Sequence, residues 1–284
     1  MLPSRRIAFS LLLIATVASA QPARRRVGSL PPPLPVVSHV FLVILENEDE
    51  SRAIQQPFLA ELASRGATLK NYRGLAHPSQ PNYIALVTGS TYGITHNDLV
   101  TMDVRHLGDL LEERGLTWRA YAENYPGNCY LGVAAGSPSS GQYVRRHVPF
   151  LNFVNVQNNR QRCIDRVVDA TVLDADIATG TLPSFALYIP NNRNNGHDTG
   201  VAVADQWLQS RFRTLLADPR FVSDMLFIVT FDESATFLDA PVYIVFAGPP
   251  VAVGRTSTHN YDHYSLLRTI EEFLRAGTLG RNDA

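Results

Sequence analysis

Apolar positions along the chain fall into two kinds of run. "HVFLVILE" (39–46), "SFALYIP" (184–190), "MLFIVTFDE" (225–233) and "PVYIVFAGP" (241–249) are nearly continuous apolar stretches, rich in β-branched residues. Such runs predict strands buried on both faces. "TWRAYAE" (117–123) reads as another strand. Between them the period changes to helical in "FLAELASRG" (58–66), "HLGDLLEERG" (106–115), "VADQWLQSRFRTLLAD" (203–218) and "HYSLLRTIEEFLRAG" (263–277). Three of these four end on glycine, a helix stop. Strands alternating with helices predict an α/β fold with a mostly parallel sheet. Residues 125–180 break the pattern, being rich in Asn, Gly and Ser, and are expected to form a small irregular cap-like insertion. No internal repeat is visible.

The N-terminus has a different character. Arg5 and Arg6 precede "IAFSLLLIATV", and "ASA" closes at Ala20. A charged start, a short apolar stretch and a small-residue cleavage site read as a secretory signal peptide. Residues 21–36, "QPARRRVGSLPPPLPV", then read as an extended Pro-rich linker. The expected domain is therefore 37–284, in a protein that is secreted or periplasmic. No later run is long enough for a membrane span, so no stable membrane insertion is expected. Twenty-five Lys and Arg against 26 Asp and Glu leave a net charge of −1, which provides no pull toward nucleic acid. In an exported chain, the two cysteines, Cys129 and Cys163, are expected to pair as a disulfide.

Chemistry gathers where strands end. Ligands of open α/β sheets bind beyond the carboxyl ends of the strands. Glu46 and Asn47 follow the first strand there, and Asp232 and Glu233 follow a late one. Three carboxylates and an amide are hard oxygen donors, suited to Ca²⁺, Mg²⁺ or Mn²⁺. "AHPSQPNYIALVTG" (76–89) holds Ser79 between two prolines, directly before an apolar helical run. Its hydroxyl reads either as an ordinary helix N-cap or as a nucleophile at a helix N-terminus, where the dipole and free N–H groups favour an anion. Next to a metal, Ser79 would add a further oxygen and lose its proton more easily. "NNRNNGHDTG" (191–200) offers His197 and Asp198, and "RRHVPF" (145–150) offers Arg145, Arg146 and His147 as anion contacts. GxSxG, Walker, GxGxxG and HExxH motifs are absent, which disfavours esterase, NTPase, dinucleotide-binding and zincin readings.

"VILEN", "HPSQPNYIALVTG", "RRHVPF", "NNGHD" and "FIVTFDES", in this order, resemble the motifs of the bacterial acid phosphatase and phospholipase C phosphoesterase family. The resemblance covers about residues 37–275 and places the chain in the alkaline-phosphatase-like superfamily. It implies a three-layer α/β/α sandwich, one divalent metal ion and a serine that is transiently phosphorylated. Carried over, Ser79 is the nucleophile and, with Glu46, Asn47, Asp232 and Glu233, a metal ligand. His197 is a phosphate-contacting or leaving-group residue; His147, Asn82 and Asp198 are substrate contacts. The expected partner is a small phosphorylated substrate or a phospholipid headgroup, with monoesters favoured because the chain is much shorter than the phospholipases C. A phospholipase C-type phosphodiesterase, a phosphoinositide phosphatase and a non-catalytic calcium-binding exported protein are the alternatives. Some acid phosphatases of the family carry two aspartates where this chain has Asp232–Glu233, which leaves the metal's identity open.

Overall fold

The computed structural model describes residues 35, 37–235 and 240–284. The expected signal peptide and nearly all of the Pro-rich linker lie outside the described residues.

The described residues form ten strands: β1 (His39–Leu45), β2 (Ala67–Arg73), β3 (Trp118–Ala122), β4 (Ala134–Ser137), β5 (Gly141–Val144), β6 (Val167–Asp169), β7 (Phe185–Ile189), β8 (Met225–Phe231), β9 (Ile244–Ala247) and β10 (Thr256–Asp262). Eight of them form one sheet in the order β10-β2-β9-β8-β1-β7-β3-β6, and β4 pairs with β5 in a separate hairpin. All neighbours in the large sheet are parallel except β9, which runs against both β2 and β8.

The sheet order also assigns the helices to faces. Parallel crossovers are right-handed, so connections moving in opposite directions along a sheet lie on opposite faces. From β1 to β2 and from β7 to β8 the chain moves toward β10, and helices Pro57–Arg65 and Val201–Phe212 accordingly pack together. Between them, Asp205 accepts from the backbone N–H of Phe58 and Leu59 at 3.2 and 2.7 Å, capping the first helix from the second. From β2 to β3 the chain moves the other way, putting helices Gln80–Thr88 and Leu107–Glu113 on the opposite face. Helix His263–Phe273 packs against Gln80–Thr88 there. The result is the expected three-layer sandwich.

Central strands are apolar throughout because both of their faces are covered: every residue of β7 and β8 is buried, and all of β1 after His39. Phe41 anchors one layer, with the rings of Tyr121, Tyr188, Phe212, Phe221 and Phe227 at centroid distances of 5.2–6.5 Å. β10, "TSTHNYD", escapes any apolar pattern because it is the polar, largely exposed sheet edge, a composition that discourages pairing with another chain.

The irregular insertion expected over 125–180 is only partly one. Its last part returns to the sandwich as β6 and helix Val172–Thr179. Residues between carry the β4–β5 hairpin, two 3-10 turns and two short helices. Cys129 and Cys163 form a disulfide across this excursion, and the Phe150 ring packs 4.2 Å from that of Trp118 at its base.

Candidate active site

β1 and β8 are parallel neighbours in a register that pairs Leu45 with Phe231, so Glu46 and Asp232 leave the sheet side by side at its carboxyl edge. Hydrogen bonds hold this arrangement. Asp232 N–H donates to Leu45 O at 3.0 Å, and Asp232 Oδ1 accepts from Asn47 N and Glu233 N at 3.1 and 2.7 Å. Asn47 turns the chain at φ +50°, a left-handed conformation that asparagine tolerates better than most residues. Gly74, leaving β2, runs so close that a Cβ there would lie 2.9 Å from Asp232 O and 3.1 Å from Glu233 Cα. Only glycine allows the following loop to bring Ser79 over these acids.

Ser79 occupies the N-cap position of helix Gln80–Thr88, yet its side chain caps nothing. The hydroxyl donates instead to Glu46 Oε2 at 3.1 Å and Glu233 Oε1 at 3.3 Å. Asn97 Oδ1 takes over the cap, accepting from Gln80 N at 3.0 Å. Pro81 has no N–H and Asn82 N bonds to Ser79 O at 2.9 Å. The free N–H groups expected at this helix start are therefore already taken, and an anion here needs charge from side chains.

Glu46, Asp232 and Glu233 are each at most 3% exposed. Burial first, and the neighbouring Asp232 charge second, hold Glu46 well above the carboxylate range and push Glu233 up to about 8; burial also raises Asp232. Asp232 Oδ2 is buried without a hydrogen-bond partner. One terminal amide atom of Asn47 stands 3.3 Å from Glu46 Oε2 and 3.2 Å from Glu233 Oε1. As nitrogen it donates to both carboxylates; as oxygen it joins them around a shared cation. Among the described residues no three His, Cys, Asp or Glu side chains form a metal-holding group by themselves. At this site, Asn47 and Ser79 complete a hard-oxygen set around an orphaned carboxylate oxygen, which fits a divalent cation in donor chemistry.

The other expected site residues divide. His147 is 1% exposed, stacked on the Tyr83 ring at 5.2 Å, with Nε2 3.3 Å from Glu46 Oε1 and no hydrogen bond. Burial first, then the charges of Arg146 and His197, lower its pKa, and it sits in the wall of the site beneath the exposed surface. Asn82 is likewise not free for substrate. Its Oδ1 accepts from Leu75 N and Ala76 N at 2.7 and 3.1 Å, and its Nδ2 donates to Ala76 O at 2.7 Å and to Glu233 Oε2 at 3.4 Å. It builds the turn that carries Ser79. Asp198 spends its carboxylate on His197, whose Nδ1 lies 2.7 Å from Asp198 Oδ1. That contact fixes the orientation of the imidazole ring. His197 itself is exposed at the rim, on a loop tied to the site because Glu46 N donates to Asn195 O at 2.9 Å.

Three contributors escape the sequence reading. His77 places Nδ1 3.0 Å from Glu233 Oε2, and Tyr83 donates its hydroxyl to Glu46 Oε1. Both lie inside "HPSQPNY", so proximity to Ser79 was the available signal. Glu123 anchors the His197 loop by accepting from Asn191 N at 3.1 Å, Asn194 Nδ2 at 2.7 Å and Trp207 Nε1 at 3.0 Å. An acid directly after a strand, like Glu46 and Asp232, was its signature.

The Phosphoesterase family matches residues 50–275 of the chain. A probable acid phosphatase of Kluyveromyces lactis is 34% identical over 86% of this chain and 59% of its own length. A phosphatidylinositol-3-phosphatase of Mycobacterium tuberculosis is 32% identical over 92% of this chain and 85% of its own. The chain thus spans less than two thirds of the length of the acid phosphatases it matches. Among solved structures, an alkaline phosphatase superfamily protein from Vibrio parahaemolyticus shares the fold, with a TM-score of 0.61 at 12% identity over 88% of this chain and 70% of that one.

Proposed function

Because the chain belongs to the Phosphoesterase family, we propose that it hydrolyses phosphate monoesters through a phosphoserine formed on Ser79. One observation carries this reading: a serine at a helix N-cap that leaves the cap to Asn97 and aims its hydroxyl at two buried carboxylates.

In the proposed reaction Ser79 Oγ forms a bond to phosphorus as the bond to the leaving oxygen breaks. The serine proton passes to a carboxylate that already accepts it. His197, held through Nδ1 by Asp198, offers a proton from Nε2 to the leaving oxygen. Water then attacks the phosphoserine, releasing inorganic phosphate and restoring the hydroxyl. Glu46, Asn47, Asp232 and Glu233, with the Ser79 oxygen, would hold a divalent cation, which when bound supplies Lewis-acid neutralisation of phosphoryl charge. Ca²⁺, Mg²⁺ and Mn²⁺ all suit these donors. Export to the periplasm or medium rests on the N-terminal sequence. Among the described residues no helix is long and apolar enough to cross a membrane.

A second reading, a phosphoinositide phosphatase, is favoured by length: the chain covers 85% of the Mycobacterium tuberculosis relative of that name. Both readings share monoester chemistry. Phosphate release from nitrophenyl phosphate, bis-nitrophenyl phosphate and a phosphoinositide, with and without chelator, tests them. Turnover of the monoester that chelator abolishes is expected. Faster turnover of the diester would favour a phospholipase C-type enzyme, full activity in chelator would remove the metal, and no turnover at all would leave a non-catalytic cation-binding protein.

A further inference from the structure

Two adjacent arginines, Arg145 and Arg146, sit in one 3-10 turn, Arg145–His147, that packs against the helix led by Ser79. The fold gives them different work. Arg145 is buried and its guanidinium is consumed by backbone carbonyls: Nη1 donates to Leu131 O at 2.7 Å, and Nη2 to Leu151 O at 2.8 Å and Val100 O at 3.4 Å. It ties Leu131 and Leu151 of the excursion to Val100 before it, and of its nitrogens only the buried Nε is left without a partner.

Arg146, the next residue of the turn, is half-buried. Its charge is felt by Glu46, Glu233, Tyr83 and His147, all at the carboxylate site. Its Nε is buried without a partner, and among the described residues the side chain makes no hydrogen bond or ion pair. A guanidinium held this near two carboxylates would ordinarily close on one of them with its paired donors. This one makes no hydrogen bond or ion pair to either, so its N–H donors are left without a protein partner. The same site has a helix start whose first N–H groups are already bonded, so beyond any bound cation the charge of an arriving anion is left to side chains. Of those nearby, only an arginine carries a charge that does not depend on pH.

We propose that Arg146 is the substrate-binding cation of this site, gripping non-bridging oxygens of the phosphoryl group while Ser79 attacks phosphorus. The assignment rests on the phosphoesterase reading and names the residue through which that site recognises a phosphate. A monoester dianion presents one more charged oxygen than a diester, so the guanidinium also biases the site toward monoesters.

Inorganic phosphate is the probe. It is measured as a competitive inhibitor of nitrophenyl phosphate turnover, and separately by the rise in melting temperature it causes in the unreacted protein. Arg146→Gln is expected to weaken phosphate inhibition roughly ten- to hundredfold, as loss of a charged hydrogen-bonding pair does. KM should rise with it, the phosphate-induced melting shift should shrink, and diester turnover should fall less than monoester turnover. Arg146→Lys, which keeps the charge and loses the fork, should fall between. The melting temperature without phosphate should hold, since no protein hydrogen bond is removed. An unchanged inhibition constant and an unchanged phosphate shift in Arg146→Gln overturn the assignment. If the glutamine variant is not recovered folded, the same two unchanged values in Arg146→Lys overturn it. A wild-type protein with neither turnover nor a phosphate-induced shift overturns the phosphoesterase reading itself, a separate result.

Discussion

The Ser79 hydroxyl donates to Glu46 Oε2 across 3.1 Å, joining residues 33 positions apart in the chain. This contact separates a helix cap from a nucleophile. Removing the hydroxyl takes away two bonds to carboxylates and no cap, because Asn97 holds Gln80 N. Ser79→Ala should therefore change stability by only about 1 kcal/mol while abolishing phosphate release. Parallel melting and turnover measurements check this, and a folded variant with wild-type turnover would falsify the assignment.

Glu46→Gln and Asp232→Asn each remove a negative charge from the proposed cation site with little change of shape. Both should lose bound divalent metal and turnover together, since affinity for a hard cation follows ligand charge. Metal analysis of the purified variants decides the matter. Full occupancy in either one removes that residue from the ligand set.

The buried carboxyls make stability depend on pH. Burial, then the Asp232 charge, pushes Glu233 up to about 8, and burial, then Asp283, pushes Glu271 up to about 9. Both folded values exceed the ordinary 4.5, so the native state keeps protons that the unfolded chain releases. Their stabilisation is complete below about pH 4.5 and is lost as pH rises through about 8 and about 9. The melting temperature of chelator-treated protein should accordingly fall across this window. Glu271→Gln, distant from the candidate site, should flatten the upper part of the fall; an unaltered profile would show that Glu271 does not hold its proton.

Cys129 and Cys163 close a loop of 34 residues, worth about 4 kcal/mol in lost unfolded-state freedom. The denatured, unreduced protein should show no titratable thiol, and reduction should lower the melting temperature measurably. Two thiols before reduction would contradict the bond.

His197 tests the leaving-group role. If it donates a proton to the departing oxygen, His197→Ala should cost an alkyl phosphate far more kcat/KM than nitrophenyl phosphate, whose leaving group needs no proton. Asp198→Asn should move the same way more weakly, through the 2.7 Å contact that orients the ring. Equal losses on both esters would reduce His197 to a phosphate contact.

The amino-acid order alone was enough for the layered α/β architecture, because strands covered on both faces must be apolar throughout, as β1, β7 and β8 are. It was also enough to mark Glu46 and Asp232, acids set directly after such strands, and Ser79, whose flanking prolines stand out. β10 stayed hidden because a polar sheet edge leaves no periodic signal. What no local pattern contained was direction. Arg145 and Arg146 are chemically identical neighbours, yet one is bound to carbonyls and the other makes no hydrogen bond among the described residues. Asn82 and His147 read as substrate contacts, and packing turned one into a turn brace and buried the other against Tyr83. The bonds of Ser79 span 33 and 154 residues to two different strand ends. Where a side chain points depends on partners brought together only when β1 and β8 pair, and that information is carried by the register of the sheet.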